Sequence, residues 1–154
     1  MTSENMYTAA DYDKAILSLG KKKIDLTNKI SAMQEKRKEV AAVTKNLQIC
    51  KTYKPVWMQY VELPMSQKSA FYSGHSTELQ AYSSAAKNLE KEGIDQSVDL
   101  DKAIGVTEQL ERKIEETKEQ LRETNSEEKK AQQERKKVLD IQENHTRNRT
   151  ILIA

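Results

Sequence analysis

Along the first third of the chain, apolar side chains recur every seven residues: Leu26, Met33, Val40 and Leu47, with Ile16 and Ile30 offset from that row by 3 or 4 places. This period lays a narrow stripe along one side of an α-helix. Such a stripe suits a facing helix better than a broad globular core. Arg37 and Thr44 interrupt it, so the seam is imperfect. Apolar residues make up only 36% of the 154 positions and charged residues 32%, too lean for a thick core but enough for one seam. Four glycines and two prolines are too few for a β protein built on tight turns. The chain is expected to be all-α.

Helix boundaries follow from local signals. Thr8-Ala-Ala-Asp11 resembles a capping box and opens a helix over about 9–51, in which Gly20 is a soft spot. Lys54-Pro55 is expected to end it, with Pro55 starting a short helix over 55–62. After Pro64, Ser66 is the expected cap of a helix reaching about 91, with Phe71, His75, Leu79, Tyr82, Ala86 and Leu89 on one face and Gly93 as its stop. Ser97 or Asp99 begins the last helix, over 97–147. Its seam is Leu100, Ala103, Thr107, Leu110, Ile114, Thr117, Leu121, Ala131 and Val138, and 148–154 forms a tail. Two long helices joined through a compact insert fold back most simply as an antiparallel pair. The expectation is a single domain over 1–154: a long antiparallel coiled-coil helical hairpin with a small aromatic-cored helical subdomain, 52–93, at its tip.

That insert holds both prolines, Trp57, Phe71 and four of the six tyrosines. A turning chain needs helix breaks, and a tip with no third surface to bury against needs its own mini-core. Aromatic rings serve because each buries a large area. Tyr53, Trp57, Tyr60, Phe71, Tyr72, His75 and Tyr82 are therefore candidates for a mini-core or, on its exposed edge, a protein-docking surface. A base-stacking platform is the rival use of such rings, but it wants a basic groove. Residues 51–98 carry five lysines against five acids.

Tyr53-Lys54-Pro55, Tyr60, Lys68-x-x-Phe71, His75-x-x-Glu78-Leu79, Tyr82-x-x-x-Ala86-Lys87 and Leu89 resemble the helical region that follows the nuclease domain in relaxases, the mobilisation nucleases of bacterial conjugative and mobilisable elements. The likeness extends over about 8–152, from Thr8-Ala-Ala-Asp11-Tyr12 to Val138-Leu139-Asp140-Ile141 and Ile151-Leu152. It implies a role in DNA mobilisation through contacts with relaxosome or coupling proteins. The relaxase chemistry does not carry over. Relaxases cut with a tyrosine beside a histidine-held metal, whereas His75 and His145 stand seventy residues apart and nothing near Tyr7 or Tyr12 could bind a metal. The nuclease portion is expected to be missing, so no catalytic residue, metal or cofactor is expected.

Charge is uneven along the last helix. Residues 99–128 hold ten acids and five bases, and residues 129–149 hold seven bases and three acids. With residue 47 set near 103, Lys21-Lys22-Lys23 approaches Lys129 and Lys130, and Arg37 approaches Glu111 or Glu115. Lys21, Lys22, Lys23, Lys29, Lys129, Lys130, Arg135, Lys136, Lys137, Arg147 and Arg149 then form a basic end, either a solvated helix face or a weak contact for DNA phosphates. The net charge of +2 carries no polyanion signature for the whole molecule. His75 is expected as a packed histidine bonded to a backbone carbonyl or Glu78. Cys50, the only cysteine, is expected as a buried small hydrophobe, and alone it excludes an internal disulfide. No secretory signal or membrane span is read, so a cytoplasmic location is expected and the sequons at Asn144 and Asn148 are taken as chance. The rival to a mobilisation module is a free-standing coiled-coil scaffold or homodimer unrelated to DNA.

Overall fold

The computed structural model describes the backbone of residues 7–153 and the side chains of residues 7–148. Among them the chain is all-helical: α1 (Ala9–Glu62), α2 (Met65–Lys91) and α3 (Leu100–Ile153). It divides into two compact units, Met1–Ala32 with Lys113–Ala154, and Met33–Arg112.

The capping box forms at the start of α1. The Thr8 N–H donates to Asp11 Oδ2 at 2.9 Å, and the Asp11 N–H donates back to Thr8 Oγ1 at 3.3 Å. The Thr8 N–H and the Thr8 hydroxyl, which donates to the same Oδ2 at 3.0 Å, hold the Asp11 carboxyl below its usual range, the backbone bond contributing most.

α1 does not break at Pro55. It runs through it to Glu62, so the expected helix over 9–51 and short helix over 55–62 are one element. Proline removes a single backbone donor, leaving the Lys51 carbonyl without its helical partner. Lys51 and Pro55 are both exposed, so water can serve that carbonyl and the ring has open space. Just beyond, Trp57 and Tyr60 pack on rings of α2 and hold the chain helical.

Pro64, not Ser66, caps α2: its backbone is extended at φ −60°, ψ 149°, with no side-chain cap bond. Its carbonyl accepts the Gln67 N–H at 2.9 Å, which places Ser66 inside the first turn. Within α2, His75 leaves helical geometry at φ −129°, ψ 23°, beside Gly74. The C-terminus closes as the glycine predicts. Gly93 has φ +69°, its N–H reaches the Glu90 carbonyl at 3.0 Å, and the Ile94 N–H reaches the Leu89 carbonyl at 2.9 Å. That is a Schellman motif.

Asp99 caps α3, its Oδ1 accepting the Asp101 N–H at 2.9 Å. The residues expected as a tail stay helical to Ile153, since no glycine or proline follows Gly105 to stop them.

In the first unit, Leu26, Ile30, Ile114, Thr117 and Thr124 are buried. Asp13 pairs with Arg135 and Lys23 with Glu128, so the α1 and α3 segments run in opposite senses there. In the second unit Leu47, Cys50, Tyr82, Ala85 and Leu89 form the core, with Tyr53, Trp57, Leu100 and Ala103 packed against it. Arg37 meets Glu111 at 3.8 Å in the same unit. Every expected seam position of α3 from Leu100 to Val138 is at least half-buried.

Candidate functional site

The insert's rings form a connected series within the second unit. Tyr82, buried against the core, stacks on Trp57 with centroids 5.1 Å apart and planes 24° from parallel. Trp57 meets Tyr60 at 5.8 Å. Tyr60 in turn meets Phe71 at 6.2 Å and Tyr72 at 6.0 Å, and Phe71 stacks on the His75 ring at 4.3 Å. Tyr53 packs against the Leu47–Cys50 cluster. Helical spacing explains the order. Tyr53, Trp57 and Tyr60 lie 4 and 3 apart on α1, while Phe71, His75 and Tyr82 lie along the facing stripe of α2.

The series grades from buried to exposed. Tyr82 is 8% exposed, and its hydroxyl donates to Gln96 Oε1 at 3.2 Å. Tyr72 is exposed, with its hydroxyl accepting from Gln80 Nε2 at 3.2 Å. Lys68 Nζ lies 5.6 Å from the Tyr60 ring centroid, a cation–π contact that the sequence reading missed although Lys68 precedes Phe71 by one turn. Met58, Val61 and Met65 are exposed nearby in the chain. This part of the unit can offer aromatic and thioether surface to another protein.

The expected hydrogen bond of His75 does not form. Nδ1 lies 3.4 Å from Glu78 Oε2, close enough for an ion pair if the ring is protonated, yet Nδ1 has no hydrogen-bond partner. Stacking on Phe71 and the irregular backbone at His75 set the ring plane, and the carboxylate lies off its donor direction. Cys50 is buried, and burial pushes its thiol up from the ordinary range, so it stays protonated at neutral pH.

The basic residues expected to contact phosphates all belong to the first unit, and they are not equivalent. Lys23 is tied to Glu128 at 3.0 Å, Arg135 to Asp13 at 2.5 Å and Arg147 to Glu143 at 3.2 Å. Lys21, Lys22, Lys29, Lys129, Lys130, Lys136 and Lys137 are exposed and make no ion pair among the described residues. The Arg149 side chain lies outside the described residues. Among those described, no group of three or more His, Cys, Asp and Glu side chains is placed to hold a metal ion, and no helix is long and apolar enough to cross a membrane.

Compared with protein-family models, curated proteins and solved structures, the chain matches none of them.

Proposed function

We propose that the chain is a non-catalytic helical module of DNA mobilisation, resembling the tail of a conjugative relaxase and working in the cytoplasm. In this reading the long helices form an antiparallel coiled-coil hairpin with an aromatic-cored subdomain. Its work is to hold relaxosome or coupling proteins and to touch DNA phosphates weakly. The observation that carries the reading is the ring series from Tyr82 through Trp57 and Tyr60 to Phe71 and His75. These are largely the positions on which the resemblance rests, and they lie in one connected arrangement.

Lys21, Lys22, Lys29, Lys129, Lys130, Lys136 and Lys137, which make no ion pair among the described residues, support the phosphate contact, since their charge is available to a polyanion. The test is binding of a labelled duplex carrying a transfer origin across a salt series, alongside capture of coupling protein from a donor strain. Binding should weaken steeply with salt, and Lys21→Gln, Lys22→Gln, Lys129→Gln and Lys130→Gln together should flatten the salt slope. No binding at low salt together with no capture sinks the reading.

One observation favours the second reading, a scaffold or homodimer. Leu17 and Ile24, one heptad apart on α1, are each 62% exposed and offer a second seam. A dimer by sedimentation that Leu17→Lys and Ile24→Lys dissolve, with no DNA or coupling-protein capture, decides for that reading.

A further inference from the structure

Apart from the rings, the second unit contains a groove of about 590 Å³ between the later turns of α1 and the start of α3. Leu47, Pro55, Met58 and Leu100 supply its apolar surface. Lys51 and Lys54 line it from α1, and Asp99, the cap of α3, and Asp101 in its first turn line it from the other side. All four charged residues are exposed, and none is held in an ion pair among the described residues. Asp99 Oδ1 is engaged by the Asp101 N–H, which leaves its other oxygen open. Lys54 also acts weakly through space on the Asp95 carboxyl.

We propose that this groove docks an amphipathic helix of a protein partner, one that carries an apolar stripe with acidic residues along one edge and basic residues along the other. The occupant follows from charge complementarity. An apolar floor between a lysine side and an aspartate side matches a helix whose two edges bear the opposite signs, and it penalises a helix with one sign on both edges. Exposed charges of this kind select a partner and its direction more than they add affinity, so the apolar stripe must supply the binding. Met58, 45% exposed and unbranched, adapts to the shape of the inserted side chains. The volume accommodates several aliphatic side chains, and the charged residues along its sides are exposed, as at the rim of an open groove. The proposal rests on the reading of the chain as a protein-holding module and names the site and chemistry of that hold.

Three fluorescein-labelled helical peptides of about 15 residues test it, since shorter helices are marginal in water. They share leucines at i, i+3, i+4 and i+7 and carry Glu on one edge with Lys on the other, Glu on both, or Lys on both. Anisotropy against the full chain should show the two-signed peptide binding about tenfold tighter than either one-signed peptide, roughly 1.4 kcal/mol. Lys51→Glu with Lys54→Glu should transfer the preference to the all-Lys peptide. Met58→Asp, checked as folded by circular dichroism, should weaken all three. Equal binding of the three peptides, or a preference that the charge reversal leaves in place, overturns the proposal. So does a dimer in sedimentation that Met58→Asp converts to monomer, because the groove's occupant is then a second copy. If the peptides fail while coupling protein is still captured, the groove inference falls and the functional reading stands. If the peptides bind as expected without any such capture, the reverse holds.

Discussion

The indole of Trp57 lies on the ring of Tyr82, centroids 5.1 Å apart, only two residues beyond the proline that the sequence offers as a helix break. Stacking of this kind is worth about 0.5–1.5 kcal/mol beyond burial. Together with the Tyr60 contacts to Phe71 and Tyr72, it joins the last turns of α1 to α2. Tyr82→Ala should therefore destabilise the chain by about 3 kcal/mol, as expected for truncating a buried aromatic side chain. Urea unfolding followed by Trp57 fluorescence measures it. Tyr82→Phe loses only the bond to Gln96 and should cost about 1 kcal/mol.

Pro55 occupies a helix interior with exposed surroundings. Pro55→Ala restores the hydrogen bond to Lys51 while making the unfolded chain freer, so the two effects partly cancel. The helix term is the larger, and a gain of about 1–2 kcal/mol is expected from the same urea titration. A loss of stability would mean that the ring itself is required by its packing.

Among the described residues, the α1–α3 ion pairs Lys23–Glu128 and Arg37–Glu111 differ in burial. Glu128 is 17% exposed and its partner Lys23 34%, whereas Arg37 and Glu111 are about half exposed and 3.8 Å apart. A double-mutant cycle with Lys23→Met and Glu128→Gln should return a coupling of about 1 kcal/mol. The cycle with Arg37→Met and Glu111→Gln should return one indistinguishable from zero. Raising the salt concentration should shrink the first coupling.

Hydrogen bonds from Thr8 lower the Asp11 carboxyl in the folded chain, so its contribution to stability is present above the carboxyl's unfolded value and is lost as pH falls through the depressed folded one. Thr8→Ala removes only the hydroxyl's bond and keeps the backbone one, so it should return Asp11 part of the way toward its ordinary titration and remove the smaller share of the acid-side loss. Carboxyl NMR titration of Asp11 in the two proteins is the direct reading.

Gly93 holds φ +69° with open space around its Cα, so a side chain there is strained by backbone conformation alone. Gly93→Ala should cost about 1 kcal/mol and Gly93→Asn less, because asparagine tolerates the left-handed region. Thermal unfolding of the three proteins ranks them.

Much of this architecture is legible in one dimension because its causes are local. The reciprocal bonds of Thr8 and Asp11, the Gly93 stop and the Asp99 cap each depend on a few adjacent residues. The expected register reached further. Setting residue 47 near 103 brings Arg37 to Glu111 or Glu115, and in the structure Arg37 meets Glu111 while Ala103 packs on the cluster containing Leu47. Less visible was the depth of Thr124, 1% exposed in the stretch where the apolar pattern is weakest. A threonine that bonds its own helix can be buried without a partner elsewhere, and Thr124 Oγ1 donates to the Gln120 carbonyl at 2.8 Å. Of the candidate site, the ring residues were named from composition. Their order of contact, the irregular backbone at His75 and the division of lysines into paired and free were not.

The amino-acid sequence alone determined that this chain is helical and where its seams lie, because a period of three and four leaves few other ways to bury sparse apolar residues. Tertiary structure decided whether Pro55 breaks its helix, which ring stacks on which, and that Lys51 and Lys54 face a groove also lined by Asp99 and Asp101. Those outcomes depend on residues far apart in the chain meeting across packed helices. A proline's local cost is a few kcal/mol, and contacts made at a distance can outweigh it.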